Sequence, residues 1–208
     1  MLNVDFDGTL NSTESALEIA RLAGKEEDAK KVYQSLLDSY EKIVEESPTS
    51  QLIRDVVETH KRHLKEGAYS LKGSPSTILS EIVCQPSCYF HEIIERAKDQ
   101  GGLKIITYND RRVVENFVKK NDIPNCDIIC SELEVVDGKL TGNFLKIVSK
   151  CEGFTEGDVV GDSLGDLELF KRAHEEGYRG YVAKNGRKSI LLEKALKKCE
   201  IPYLDLNS

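Results

Sequence analysis

The spacing of apolar residues divides the chain into a helical first part and an alternating second part. Residues 2–6 carry a short apolar run that predicts a strand at the centre of a sheet. From residue 12 to residue 85, apolar residues recur at helical spacing, and proline and glycine separate the stripes. We therefore expect an all-helical cap at 12–85, inserted after the first strand, above a core formed by 1–11 and 86–208.

Beyond residue 86, strand patterns and helix patterns alternate with short links. The predicted strands are 103–108, 126–130, 158–161 and 178–183, with an edge strand at 201–206. Leu133–Phe144 resembles a hairpin around the turn Asp137-Gly138, and a short helix is expected at about 145–153. This order predicts an α/β fold, a three-layer Rossmann-like parallel sheet core with helices on both faces.

Composition excludes several classes of function. The 208 residues are 39% hydrophobic and 31% charged, which suits one moderate domain with an insertion. The net charge of −7 leaves no basic footprint for nucleic acid. No apolar run approaches the roughly 20 residues of a membrane helix. The chain opens directly on its first strand, so we expect no signal peptide and a cytoplasmic location.

Six cysteines raise the question of a metal site or of disulfides. Cys84 and Cys88, like Cys126 and Cys130, are separated by three residues, whereas zinc sites usually have two. The second pair brackets an apolar segment typical of a buried strand. We interpret the cysteines as plain buried thiols, although the sequence leaves their pairing open.

Acidic residues follow two predicted strands, and a hydroxyl ends a third. Asp5 and Asp7 come at the end of the first strand, Thr107 near the end of the 103–108 strand, and Asp162 and Asp166 after the 158–161 strand. Turns and calcium loops also use Asp-x-Asp-Gly, but the residues after Gly8 lack the further ligands of a calcium loop. Ligands of parallel sheets bind outside the carboxyl ends of the strands.

This order of motifs resembles the haloacid dehalogenase (HAD) superfamily over nearly the whole chain. The resemblance implies Mg²⁺ bound by Asp5, the backbone carbonyl of Asp7 and Asp162, with Asp166 supporting the site. It also implies that Asp5 is a nucleophile that carries the phosphoryl group, and that Asp7 is a general acid and base. Thr107 would then donate its hydroxyl to a phosphate oxygen. We expect the four acidic side chains to converge on one metal.

The same resemblance requires a lysine that offsets charge in the transition state. Lys146 follows Gly142 and precedes the Asp162 strand, and it is our choice. Lys150, one turn later, and Lys139, in the hairpin, stay open as alternatives.

Within the superfamily, the chain resembles the phosphoserine phosphatase branch. The segments DFDGTLNSTESALEIARLAG (5–24) and DGKLTG (137–142) carry this likeness. It implies that Glu14 holds a substrate amine and that Arg54, on a cap helix, holds a substrate carboxylate. The chain departs from the branch at Tyr108, which narrows the approach to phosphate, and at Gly165, where the branch has asparagine.

The predicted function is a magnesium-dependent phosphomonoesterase that acts on a small phosphorylated metabolite through an aspartyl-phosphate. The acid at position 7 favours phosphoryl transfer, because dehalogenating members carry a non-acidic residue there. A phosphomutase or phosphotransferase with the same intermediate is an alternative. A catalytically silent binding module is a further alternative, although it has no reason to keep four like charges together. We also expect the helical region to move as a lid.

Overall fold

Seven strands form one sheet in the computed structural model, which describes residues 1–206. The strands are β1 (Leu2–Val4), β2 (Leu103–Asp110), β3 (Cys126–Val136), β4 (Lys139–Lys146), β5 (Val159–Gly161), β6 (Gly180–Val182) and β7 (Leu204–Asp205). Their order across the sheet is β4-β3-β2-β1-β5-β6-β7, and all neighbours are parallel except β3 and β4. The predicted α/β class is confirmed, with the hairpin adding one antiparallel strand.

The central strand β1 is short and is buried on both sides. Its residues pair with β2, Val4 opposite Ile105, and with β5, Val4 opposite Val160. Leu2 and Val4 have no exposed surface, as expected of a strand covered by helices on both faces. The strand ends at Val4, so Asp5 is the first residue beyond its carboxyl end.

Helices connect the strands and cover both faces of the sheet. They are α1 (Ser15–Leu22), α2 (Glu26–Glu46), α3 (Thr49–Ser70), α4 (Ile78–Glu81), α5 (Phe90–Asp99), α6 (Arg111–Lys120), α7 (Lys150–Gly153), α8 (Leu167–Glu175) and α9 (Gly186–Lys198). One apolar cluster joins β1 to α5 and α6, and the other joins β5 and β6 to α8 and α9. The helices therefore form the two outer layers around the sheet.

The helices α1–α4 follow β1 directly, where the sequence predicted a cap. Ile19 of α1 and Ala68 of α3 pack into the cluster on one face of the sheet, and Tyr40 of α2 and Val56 of α3 pack into the cluster on the other. The helical content of this region therefore agrees with the expectation. That residues 12–85 form a separate domain, or move as a lid, stays a prediction.

The segment before β5 differs from the expected one. The hairpin around Asp137-Gly138 is present, but β4 continues to Lys146, so the helix predicted at about 145–153 is only Lys150–Gly153. This difference decides which lysine reaches the site, because Lys146 is the last residue of β4 and Lys150 is the first residue of α7.

All six cysteines are free thiols, and Cys84 and Cys130 are buried. The cysteines are therefore unpaired as interpreted, but the expectation that they are buried is wrong for Cys88, which is exposed, and the remaining three are half-buried. Among the helices of residues 1–206, none is long and apolar enough to cross a membrane.

Candidate active site

Three carboxylates meet at the carboxyl ends of β1 and β5. Asp5, Asp162 and Asp166 each offer an oxygen within 4.8 Å of the others, and all three residues are buried. They come together because β1 and β5 are adjacent parallel strands, so their carboxyl ends open on the same edge of the sheet. Asp5 and Asp162 are thus close enough to share one cation.

A close backbone approach allows this meeting. Gly8 has a φ of +81°, and a side chain at this position would collide with the carboxylate of Asp162 and the amide of Asn185. Glycine is the residue that both adopts the left-handed region without strain and leaves this space free.

Asp166 holds the turn that follows β5. Its Oδ2 accepts hydrogen bonds from the backbone N–H of Asp162 (3.2 Å) and of Ser163 (3.1 Å), and Ser163 Oγ also donates to it. Its Oδ1 accepts from Lys150 Nζ at 2.5 Å. Both oxygens are therefore engaged within the protein, and the support of a metal site by Asp166 stays a prediction.

The side chain of Asp7 lies apart from the three-carboxylate cluster. Its Oδ1 accepts from Ser15 Oγ (2.7 Å) and Asn11 Nδ2 (2.9 Å), and its Oδ2 accepts from the Ser15 N–H (3.0 Å) and Asn109 Nδ2 (2.9 Å). The carboxylates of Asp5, Asp162 and Asp166 thus converge, and the expectation that the side chain of Asp7 joins them is wrong. Four donors turn the fourth carboxylate toward α1 and the end of β2.

The surroundings of Asp7 change its acidity. Burial, with a smaller contribution from the negative charge of Glu14, raises the pKa of Asp7 to about 7. The hydrogen bond from Ser15 opposes this rise. A carboxyl group with a pKa near neutrality can both give and take a proton at physiological pH.

Lys150, rather than Lys146, lies at the acidic cluster. Its Nζ donates to Asp5 Oδ1 at 2.6 Å as well as to Asp166, and its side chain is only 2% exposed. Lys146 is exposed, because β4 extends to this residue and pairs it with Glu132 of β3. Lys139, at the start of β4, is exposed too.

Charges within the cluster perturb one another. Burial and the charge of Asp166 raise the pKa of Asp5 well above its usual value, although Lys150 opposes this rise. Burial alone would lower the pKa of Lys150, but Asp166 and Asp5 outweigh it, so the pKa is raised and the ammonium stays charged.

The donor set suits a divalent cation. The site contains five carboxylates and two ammonium groups. The carboxylates are the three of the cluster and those of Asp7 and Glu14, and the ammonium groups are those of Lys150 and Lys188. Like charges packed this densely repel one another, and oxygen ligands are those that Mg²⁺ prefers. Asp5 and Asp162 are the residues that would hold it, with Asp166 behind them.

Two further predicted residues line the cavity above Asp5. Thr107 of β2 is buried and lines the same cavity as Lys150, and its Oγ1 accepts from the Asn109 N–H at 3.2 Å. Tyr108 stacks on His60 of α3 with 4.4 Å between ring centroids, and Lys150 Nζ lies 5.1 Å from the centroid of Tyr108. Tyr40 of α2 contacts the other side of His60 through a hydrogen bond.

Of the two residues expected to hold an amino acid, the structure brings only one to the site. Glu14 lines the cavity, but its carboxylate accepts from Lys188 Nζ at 2.6 Å. Arg54 projects from α3 with 65% of its side chain exposed and its nearest acid is its chain neighbour Asp55. The expectation that Arg54 reaches the substrate therefore has no support in this conformation.

Several site residues were not recognised from the sequence. Lys188 of α9 also lies 3.2 Å from Asp162 Oδ2, and Asn185 Nδ2 donates to the same oxygen at 2.7 Å. Both follow β6, so the rule that sites form beyond the carboxyl ends of strands could have singled them out. Asn109 and His60 gave no comparable signal. Asn109 lies in the predicted strand region after Thr107, and His60 lies beside an apolar helical stripe, which is an ordinary place for a histidine.

Known proteins resemble this chain in sequence and in fold. No family model matches it. A phosphoserine phosphatase of Methanocaldococcus jannaschii is 28% identical over 180 residues, which cover 81% of this chain and 80% of that protein.

Two solved structures show the same fold. A phospho-aspartyl intermediate analogue of phosphoserine phosphatase has a TM-score of 0.61 at 24% identity, covering 93% of this chain and 89% of that chain. A HAD family hydrolase from Salmonella enterica serovar Typhi has a TM-score of 0.64 at 18% identity, covering 93% and 64%. The chain thus has the fold of the haloacid dehalogenase superfamily. In sequence, the chain is similar to a phosphoserine phosphatase.

Proposed function

We propose that this protein is a magnesium-dependent phosphatase that hydrolyses a small phosphomonoester through a phosphoaspartate on Asp5. The observation that carries the proposal is the arrangement at the carboxyl ends of β1 and β5. Three carboxylates form a cluster there, and two of them, Asp5 and Asp166, accept from Lys150 Nζ. Asp7, apart from the cluster, lines the same cavity as Asp5 and has a pKa raised to about 7. Two similarities support it: the sequence similarity to a phosphoserine phosphatase, and the structural similarity to a phospho-aspartyl intermediate analogue of phosphoserine phosphatase.

In the first step, the carboxylate of Asp5 attacks phosphorus and the ester oxygen leaves with the bonding electron pair. Asp7, in its protonated form, gives its proton to that oxygen, so the product is a neutral alcohol. Lys150, fixed by Asp5 and Asp166, offsets the negative charge that builds on the transferred phosphoryl group, and Thr107 donates to one of its oxygens. Mg²⁺ held by Asp5 and Asp162 would supply further charge neutralisation.

In the second step, water attacks phosphorus of the phosphoaspartate. Asp7, now ionised, takes a proton from this water, and Asp5 is released as a carboxylate together with inorganic phosphate. The donors from Ser15, Asn11 and Asn109 hold Asp7 in place through both steps. We place this reaction in the cytoplasm, as the sequence predicted.

The test is phosphate release from a panel of phosphomonoesters, p-nitrophenyl phosphate included, with Mg²⁺ or with a chelator. We expect release that requires Mg²⁺ and that Asp5→Asn abolishes. Asp28→Asn, an exposed change on α2, is the matched control and should retain activity. Equal release by Asp5→Asn and the control would refute the proposal. Transfer of phosphate to an added alcohol in preference to water would indicate a phosphotransferase instead.

A further inference from the structure

The cavity above Asp5 is walled mainly by apolar and aromatic side chains. Beyond the reacting groups, most of its wall is apolar or aromatic, with Tyr33, Leu36, Tyr40, His60, Leu64 and Tyr108 among the lining residues. Asn109, Ser163 and the ion pair of Glu14 with Lys188 also line it. Burial lowers the pKa of His60 to about 3, so its ring is neutral at physiological pH. The part of the cavity that would receive the alcohol portion of a phosphomonoester therefore offers rings and methyl groups rather than charges.

The charged side chains at its edge already have partners. Glu14 is paired with Lys188, and Lys188 also contacts Asp162. Lys150 is held between Asp5 and Asp166. Among the cavity residues that the structure describes, no ammonium or guanidinium group is left for a substrate carboxylate, and Glu14 is not free for a substrate amine.

A second apolar cavity continues beside the first. Ala16, Tyr33, Leu36, Leu64 and Tyr108 line both of them. The second one extends along α1, α2 and α3 to the β3–β4 hairpin, where Leu133 and Phe144 form its far wall. The space available to a leaving group thus becomes more apolar with distance from Asp5.

We propose that the substrate is the phosphomonoester of an uncharged, mainly apolar alcohol, and that an amino acid is excluded. This inference rests on the proposed function. A charged amine or carboxylate in this cavity would lose its hydration without gaining a partner, which is costly, whereas each buried methylene is favourable. The pairing of Lys188 with Glu14 is the contact that removes the amine site.

The experiment compares pairs of esters of matched shape with the wild-type enzyme. Isobutyl phosphate is the apolar counterpart of phosphoserine, and propyl phosphate that of phosphoethanolamine. We expect kcat/KM for each apolar ester to exceed that of its charged counterpart at least about tenfold. Along ethyl, butyl and hexyl phosphate, kcat/KM should rise by up to about fourfold per methylene.

Two variants locate the effect. Leu36→Gln places a polar group on the wall shared by both cavities and should lower the preference for hexyl phosphate over phosphoserine about tenfold. Leu145→Gln, at a residue that is 70% exposed, is the matched control. Lys188→Met releases Glu14, so the ratio of phosphoethanolamine to propyl phosphate should rise, even if both rates fall through the contact with Asp162.

The outcomes separate this inference from the proposed function. If phosphoserine or phosphoethanolamine equals or exceeds its apolar counterpart, the inference is overturned while the phosphatase stands. If no ester in the panel, p-nitrophenyl phosphate included, releases phosphate with Mg²⁺, the proposed function fails and the inference fails with it. Preference for the apolar esters that Leu36→Gln reduces and Leu145→Gln leaves unchanged supports the inference.

Discussion

Replacing Lys150 by methionine tests the central contact of the site. The change keeps an unbranched apolar side chain but removes the only ammonium group that contacts both Asp5 and Asp166 within the described residues. The two acids are at most 8% exposed, so they would face each other without a counter-charge and with little water.

The magnitude follows from this burial. Removing one partner of a buried ion pair costs about 3–5 kcal/mol, because the remaining charge stays buried and uncompensated. For a chain of about 200 residues, this corresponds to a fall in Tm of roughly 6–20 °C. Because Lys150 also offsets charge in the proposed transition state, we expect kcat to fall about 10²–10³-fold.

The assay is denaturant unfolding with a chelator present, so that no added cation replaces the missing charge, followed by phosphate release with Mg²⁺. Lys146→Met is the matched control, since Lys146 is exposed on β4. The control should stay within about 0.5 kcal/mol of wild type and remain active. If Lys150→Met is as stable and as active as Lys146→Met, the assignment of Lys150 to the site is wrong.

Three further predictions concern the residues around this contact. Asp7→Asn should slow turnover of alkyl phosphates by about 10²–10⁴-fold and turnover of aryl phosphates by less. A phosphoaspartate should accumulate on Asp5 and be detected by mass spectrometry. Undiminished rates would remove Asp7 from the mechanism. Burial holds the pKa of His60 at about 3 in the fold, against 6.5 when exposed, so stability is lost as pH falls from about 6.5 toward 3, by up to roughly 1.4 kcal/mol per pH unit. His60→Gln should therefore lose less stability than wild type between pH 6.5 and pH 4 in urea unfolding, and an equal loss would contradict the assignment. A Cβ at Gly165 would lie 3.1 Å from the His60 ring. Gly165→Ala should therefore lower the free energy of unfolding by about 1–3 kcal/mol in wild type and by clearly less in a His60→Ala background. Additive losses in this double-mutant cycle would show that the two positions are not coupled.

The sheet and the acidic cluster could be predicted because both depend on short-range pattern. Alternating strand and helix signals specify a parallel sheet, and in such a sheet every strand ends on the same edge. Asp5 and Asp162 each follow an apolar run directly, which places both acids at this edge, and the adjacency of β1 and β5 in the structure brings them together. The turn Asp137-Gly138 likewise specified a hairpin.

The same reasoning selected Lys146, because the sequence does not say where a hairpin strand ends. In the structure, Lys146 pairs with Glu132, so β4 extends to Lys146 and this lysine is exposed to solvent. Arg54 shows a related limit: helical periodicity places a residue relative to its own apolar stripe, but it does not say which end of the helix abuts the site.

By itself, the sequence determined the succession of strands and helices along the chain and placed acidic residues after two of the strands, because these follow from local periodicity. Only the tertiary structure decided which lysines are buried. Lysine is rarely buried without a partner, and here the partners are distant in the chain: Asp5 is 145 residues from Lys150, and Glu14 is 174 residues from Lys188. Such pairs form only when the fold brings both charges out of water together, and no local pattern records them.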